Sequence, residues 1–263
     1  MTLHNKQANK ADGTVGKALD VMDLVGSFGR PVRLCELLNK TYHPKATLYR
    51  LLQTLTNQGM LAYDPKQQTY SLGLRLVRLA HTAWQVSSLA PLARTFIDAL
   101  SNDVGETIHL AQMDQGQVLY VDKRNARHPI EMFSQAGKIG PGYCTGVGKA
   151  IMAFLAPDDR QKAVNLQSYY AHTPNTLTTP AALVAELEKI RAVGVSFDRE
   201  EHEPGIICIA APILSKTGRV LGALSITTST QRNTLEGLAA FRPALNATAQ
   251  KIADAAASWQ FPE

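Results

Sequence analysis

The chain has 263 residues, 45% hydrophobic and 19% charged, a globular balance that excludes intrinsic disorder and low complexity and allows one large domain or two modest ones. Its longest nearly unbroken apolar stretch, Ile206 to Leu214, falls well short of the ~18 residues needed to cross a bilayer, and the polar start from Met1 to Lys10 carries no apolar signal core, so no membrane partner and a cytoplasmic location are expected. The net charge of +5 is uneven: up to Ala80 there are 11 Lys and Arg against 5 Asp and Glu, and beyond it 16 against 17, the footprint of a basic domain that meets a polyanion joined to a neutral one with another task.

After an arm to Asp12, apolar residues between Ala18 and Val25 recur at helical spacing and stop at Gly26 to Gly29, with Pro31 as a second breaker. A short helical stretch from Leu34 to Lys40 follows. His43-Pro44 opens a third helix, with Pro44 suited to its first position; Leu48, Leu51, Leu52 and Leu55 form one stripe before Asn57-Gln58-Gly59 ends it. Met60 to Tyr63 and Thr69 to Leu72, around a turn at Asp64 to Gln68, read as a hairpin. Helical patterns then run from Gly73 to Gln85 and from Pro91 to Asn102. Beyond them come strands at Thr107 to Met113, Val118 to Asp122 and Ile130 to Ser134, and a helix starting at Val147 to Lys149. A helix at Pro180 to Val193, strands at Ile206 to Leu214 and Val220 to Thr228, and a last helix at Arg242 to Ser258 complete the chain. Hairpin-like neighbours with few strand-helix-strand units predict an α+β class with a mostly antiparallel sheet. The expected boundaries are a flexible arm at 1–12, a DNA-binding domain at 13–75, a linker helix at 76–90 and a second domain at 91–263.

Three short helices followed by a hairpin describe a winged helix-turn-helix, whose second helix of the pair enters the major groove. With the leucine stripe facing inward, Ala46, Tyr49, Arg50 and Gln53 fall on the opposite side and Lys45 and Thr47 flank them at the first turn. Arg50 and Gln53 suit two-pronged bonds to base edges, Lys45 a phosphate, and Lys66 sits at the wing tip with Gln67 and Gln68. A dimerisation cap with a merely solvated polar face would share the helical pattern.

Four glycines between Gly140 and Gly148 lead into a helical stretch, so free N–H groups at its start suit a carboxylate or phosphate, although a plain loop needing glycines gives the same pattern. Asp198 and Cys208, with Ser225 and Thr227 two apart on one strand face, make a plausible lining for a small oxygen-rich ligand; satisfied core residues would look alike. The three cysteines, Cys35, Cys144 and Cys208, lack C-x-x-C spacing, which argues against disulfides and structural zinc. No metal or cofactor is expected. An enzyme with Cys208 or Cys144 as nucleophile, one of His109, His172 or His202 as base, and Asp198 orienting it is the rival reading, and nothing in the spacing favours it.

At these regions the chain resembles the IclR family of bacterial transcriptional regulators over nearly its whole length. The resemblance rests on Gly16 to Met22, Lys45 to Leu55 and Tyr70 to Gly73, then on Thr145 to Ala150 and the spaced signature from Gly194 through Asp198, Glu201 and Cys208 to Ile213. It departs from the family pattern at Tyr42-His43, at Leu214-Ser215 and at Thr227, where Ser is common. The resemblance implies a non-catalytic regulator: a winged helix-turn-helix joined by a helix to a GAF or profilin-like domain. It further implies a homodimer or homotetramer that binds double-stranded DNA at a palindromic operator, probed by Lys45, Ala46, Thr47, Tyr49, Arg50, Gln53 and Lys66. A small organic acid effector would meet the N–H groups of Gly146 and Val147, with Asp198, Cys208, Ser225 and Thr227 around it. Repression of a catabolic operon follows as the expected role.

Overall fold

The computed structural model describes residues 13–258, so the expected arm lies outside the described residues. The chain divides after Ala83 into two compact units. No helix among the described residues is long and apolar enough to cross a membrane.

The first unit comprises α1 (Gly13–Ser27), β1 (Val32–Arg33), α2 (Leu34–Leu38), α3 (Lys45–Asn57), β2 (Leu61–Asp64) and β3 (Thr69–Leu72). The strands form an antiparallel sheet in the order β1-β3-β2. Its core is the convergence of the helical stripes: Val21 and Val25 from α1, Leu37 from α2, and Leu48, Leu51, Leu52 and Leu55 from α3, closed by Val32, Leu61 and Tyr70 of the sheet. This is a winged helix-turn-helix. Pro44 caps α3 rather than opening it, a one-residue difference at a boundary. Strand β1 was not expected, because two residues are too few to show an alternation. At Gly73, where the hairpin leaves for α4 (Leu74–Ser87), a side chain would overlap the Gly59 carbonyl, so that crossing requires glycine.

The second unit is built on a six-stranded sheet in the order β6-β5-β4-β9-β8-β7, every neighbouring pair antiparallel. Its strands are β4 (Thr107–Asp114), β5 (Gln117–Arg124), β6 (Ile139–Pro141), β7 (Ser196–Arg199), β8 (Ile206–Leu214) and β9 (Val220–Ser229). One face carries α5 (Ala90–Val104), α9 (Leu235–Ala239) and α10 (Arg242–Ala255); the other carries α6 (Gly146–Phe154), backed by α7 (Pro157–Asn165) and α8 (Pro180–Val193). Burial on both faces explains the continuous apolar run of β8. Ile207, Ile209, Ala211 and Ile213 join the core formed with α5 and α10, while Ala210 joins that formed with Val147, Ala150 and Ile151 of α6.

The strand expected at Ile130 to Ser134 does not form. Residues 125–138 are irregular, and the edge of β5 pairs instead with β6. The groups that a strand would place in a ladder are held by side chains: Phe133 N–H donates to the Glu203 carboxylate at 3.1 Å, and the Ser134 carbonyl accepts from Lys123 Nζ at 2.7 Å. Helices α7 and α9 were also unexpected; both are short and carry weak periodicity.

Helix α6 is buried along Gly146 to Ala153, including Lys149, whose side chain is 0% exposed. A buried ammonium survives only when paired. Lys149 donates to Glu201 and lies 3.8 Å from Glu186, which also accepts from Arg199 at 2.9 Å. The network ties α6 to β7, α8 and the turn after β7. Lys149→Met therefore leaves Glu201 charged and buried, and is expected to destabilise the second unit by ~3–5 kcal/mol, with most of the loss restored in Lys149→Met/Glu201→Leu. Denaturant midpoints of the three proteins check this; a single variant as stable as the parent would refute the pairing.

Candidate functional site

Two surfaces carry functional chemistry, one in each unit. On α3 the four leucines are buried, and Lys45, Ala46, Tyr49, Arg50 and Gln53 are exposed on the other side, with Thr47 half-buried at the first turn. Lys45, Arg50 and Lys66 have no ion-pair partner among the described residues, so all three are available to an anion. The turn ahead of α3 is braced by the two residues that depart from the family pattern: Tyr42 donates to Asp20 Oδ2 at 2.5 Å, and His43 is buried beside it, its pKa lowered by burial. The wing turn is set by Asp64, whose Oδ1 accepts from the N–H groups of Lys66 and Gln67 at 2.8 and 3.2 Å. Gln68 then reverses the chain at φ +56°.

The second surface is a cavity between the sheet and the N-terminus of α6. The sheet register lays down two adjacent polar rows on this face. Asp198 stands opposite Cys208, Cys208 opposite Thr227 and Thr227 opposite Thr107; one step along, Ser196, Ala210, Ser225 and His109 align across the same strands. Asp198, Cys208, Ser225 and Thr227 thus meet the start of α6 in one cavity of about 30 Å³, together with Gly146 and Val147. All six sequence-derived pocket positions are brought together there.

The geometry at the helix start is restrictive. Gly146 lies so close to β8 that a methyl group on it would overlap the Cys208 sulfur. Thr145 caps the helix, its Oγ1 accepting from Gly148 N–H at 3.3 Å, and Gly146 N–H is turned to the Cys208 sulfur, which leaves Val147 N–H without a protein acceptor among the described residues. Of the free N–H groups expected from the glycine run, the cap thus takes one and a sulfur shares another.

His109 forms the centre of the site, and the sequence reading placed it only among possible bases. It is 3% exposed; Nδ1 lies 3.3 Å from Ser225 Oγ and 3.2 Å from Thr227 Oγ1, and Nε2 lies 2.7 Å from Ser134 Oγ. Burial, with a smaller push from Lys123, holds its pKa down at about 3, so the ring is neutral. The Tyr120 ring packs against it at 5.4 Å, tilted by 60°, and Ser134, Met132 and His202 complete the wall. A polar residue at an inward position between buried Ile108 and Leu110 was the signal that could have found His109; the loop residues had none.

Asp198 is buried, and burial pushes its pKa up to about 7; the Glu201 N–H, donating to Oδ1 at 2.8 Å, opposes that rise, while the Glu201 charge adds to it. Burial likewise pushes the Cys208 and Cys144 thiols up, away from the thiolate a nucleophile requires, and both His109 nitrogens are engaged by hydroxyls. Among the described residues the cavity holds no activated nucleophile.

A winged helix-turn-helix and an enclosed polar cavity on one chain define a helix-turn-helix transcriptional regulator with an effector domain. The family described as "IclR helix-turn-helix domain" matches residues 14–65 and "Bacterial transcriptional regulator IclR C-terminal" matches residues 81–254. The chain belongs to the IclR family of bacterial transcriptional regulators, which are not enzymes. It is similar to the HTH-type transcriptional regulator KdgR of Escherichia coli, 32% identical over 94% of this chain and 95% of the relative. It is also similar to the transcriptional repressor IclR of the same organism, 27% identical over 80% of this chain and 78% of the relative. The crystal structure of Thermotoga maritima IclR superposes with a TM-score of 0.75 at 27% identity, covering 93% of this chain and 98% of that one.

The two shifted groups predict opposite pH dependences. His109, held below its ordinary 6.5, makes the folded protein bind fewer protons than the unfolded chain between pH 3 and 6.5, so its contribution is lost as pH falls through that window. Asp198, raised from 3.8 to about 7, makes the folded protein bind more protons in between, so stability is gained as pH falls. On going from about pH 7.5 to about pH 5, His109→Gln should lose less Tm than the parent and Asp198→Asn should lose more. Parallel melting curves for all three would refute both assignments.

Proposed function

We propose that this regulator represses a catabolic operon in the cytoplasm and that a small organic acid, bound in the second unit, controls its hold on DNA. The supporting observation is the cavity at the start of α6, where Val147 N–H and the positive end of the helix dipole face buried Asp198, Ser225 and Thr227. No Lys or Arg among the described residues lines it, so helix N–H groups are the natural seat for a carboxylate, and Asp198, poised near neutrality, can accept the proton that lets two acids sit side by side. Gly146 and Cys208 shape that seat. The name of the related repressor supports the sign of regulation.

In this reading Lys45, Ala46, Thr47, Tyr49, Arg50 and Gln53 form the DNA-contacting face, with Lys66 on the wing. Residues 13–75 act as the DNA-binding domain, 76–90 as the linker and 91–263 as the effector domain, in a homodimer or homotetramer on a palindromic operator. The acid orders the Gly146 segment against the sheet and thereby changes the relative placement of paired recognition helices. Coupling of this kind changes operator affinity by about 1–3 kcal/mol.

Fluorescence anisotropy on DNA from the chain's own upstream intergenic region, against a random duplex and with and without a pool of small carboxylic acids, tests the reading. A specific complex shifted by the pool supports it; ligand binding by calorimetry with unchanged operator affinity would refute the coupling. On the same duplexes Arg50→Ala should cost ~1–3 kcal/mol and relax sequence preference, while Lys45→Ala should weaken all sequences alike and reduce the salt slope by about one. Equal losses on specific and random DNA for Arg50→Ala would remove its base-reading role.

A further inference from the structure

The cavity is walled on three sides by structure that has little freedom to move. His109, Ser225, Thr227 and Cys208 belong to central strands buried on both faces, Gly146 and Val147 to a helix anchored by the Lys149 and Glu201 pair, and His202 and Glu203 to the turn after β7, whose Glu200 and Glu201 carbonyls accept from the Thr173 and Thr176 hydroxyls at 2.6 Å. The fourth wall is different. It is the irregular segment 125–138, which contributes Met132 and Ser134 and whose residues Glu131, Phe133 and 135–138 are exposed.

Its two ends are tied down, Ala126 N–H to Thr107 Oγ1, Arg127 N–H to the Gly105 carbonyl and the Lys138 carbonyl to Tyr120 N–H, but few bonds hold its middle. Ser134 Oγ meets His109 Nε2 at 2.7 Å, the Ser134 carbonyl accepts from Lys123 at 2.7 Å, and Phe133 N–H donates to Glu203 at 3.1 Å. Farther along, Gly137 N–H donates to the Tyr120 carbonyl at 2.8 Å. The space enclosed, about 30 Å³, holds one or two water molecules, whereas small-ligand pockets run to ~300 Å³ or more. Any acid of more than a few atoms therefore has to displace a wall, and 125–138 is the one that can yield.

When it does, the group uncovered is His109 Nε2. Its other nitrogen stays with Ser225 and Thr227 on β9, and Tyr120 and Asp198 line the same cavity. We propose that segment 125–138 is a lid whose Ser134 hydroxyl occupies the position a ligand hydroxyl takes on His109, so that the effector is a hydroxy acid with its carboxylate at the start of α6. A hydroxyl both donates and accepts, and so satisfies Nε2 in either tautomer of the ring. The inference rests on the acid-effector reading above and adds the second functional group and the route by which it is reached.

The test uses the full chain and its Ser134→Ala variant. Amide hydrogen exchange over 125–138 should be about two- to tenfold faster in the variant, the effect of one lost hydrogen bond, with β4 and β9 unchanged. Calorimetric titration with three pairs of acids that differ in hydroxylation, lactate with propionate, gluconate with hexanoate and mandelate with phenylacetate, reads the ligand. The hydroxylated member of at least one pair should bind more tightly than its partner, and Ser134→Ala should tighten that binding about two- to tenfold, because the ligand no longer competes with the serine. Unchanged exchange overturns the lid. Equal binding within the pairs, or binding left unchanged or weakened by Ser134→Ala, overturns the hydroxyl replacement while the acid-effector reading stands. Failure of all six acids to bind either protein overturns both.

Discussion

Everything in the second unit follows from a sheet that is covered by helices on both faces. A polar atom on such a sheet has no water to turn to, so it must find a partner in the protein or in a ligand. On the α5 and α10 side the sheet presents almost wholly apolar side chains, among them Ile108, Leu110, Ile207, Ile209, Leu224 and Ile226, with Thr228 the buried polar exception. On the α6 side the register does the opposite, aligning Asp198, Cys208, Thr227 and Thr107 in one row and Ser196, Ser225 and His109 in the next. The hydroxyls of Ser225 and Thr227 and the ring of His109 then satisfy one another. Such a chain of mutual hydrogen bonds is stable only when each member keeps its partner, which makes this face of the sheet stiff and its geometry definite.

The electrostatics of the cavity follow from the same burial. Of the cations nearby, Lys149 is committed to Glu201 on the inner side of α6 and Lys123 to the Ser134 carbonyl, and His109 is too deeply buried to carry a charge. What remains for an anion is the backbone at the helix start, and the close approach of Gly146 to Cys208 fixes how far that backbone can advance over the strands. A neutral imidazole, a raised carboxyl and the Cys208 thiol kept protonated form a site of dipoles and hydroxyls, suited to recognising shape and hydrogen-bond pattern.

Much of this architecture is legible in the residues. Leu48, Leu51, Leu52 and Leu55 specify both the inner face of α3 and the exposed set around Arg50, because a helix has one period and two sides. Pro180 and Gly194 bracket α8 as written, and the apolar run of β8 announces a strand buried twice. The segment from Ile130 to Ser134 misleads, since its composition suits a strand while the bonds that decide its path come from Lys123 and Glu203, neither of them predictable by local periodicity. His109 was legible only in part: its place on an inward strand position is in the sequence, but its partners lie 116 and 118 residues away on β9. The cap of α6 is legible as well, since a Thr just before a helix, as at Thr145, is an ordinary capping signal.

The strict alternation along β8 and β9 has an evolutionary consequence. Neighbouring residues on each strand serve different masters: Ile207, Ile209 and Ile226 hold the helical layer, while Cys208, Ser225 and Thr227 look into the cavity. Substitutions that redraw the cavity therefore leave the opposite packing intact. A gene duplicate of such a protein can drift in what it senses, position by position, without first passing through an unfolded ancestor.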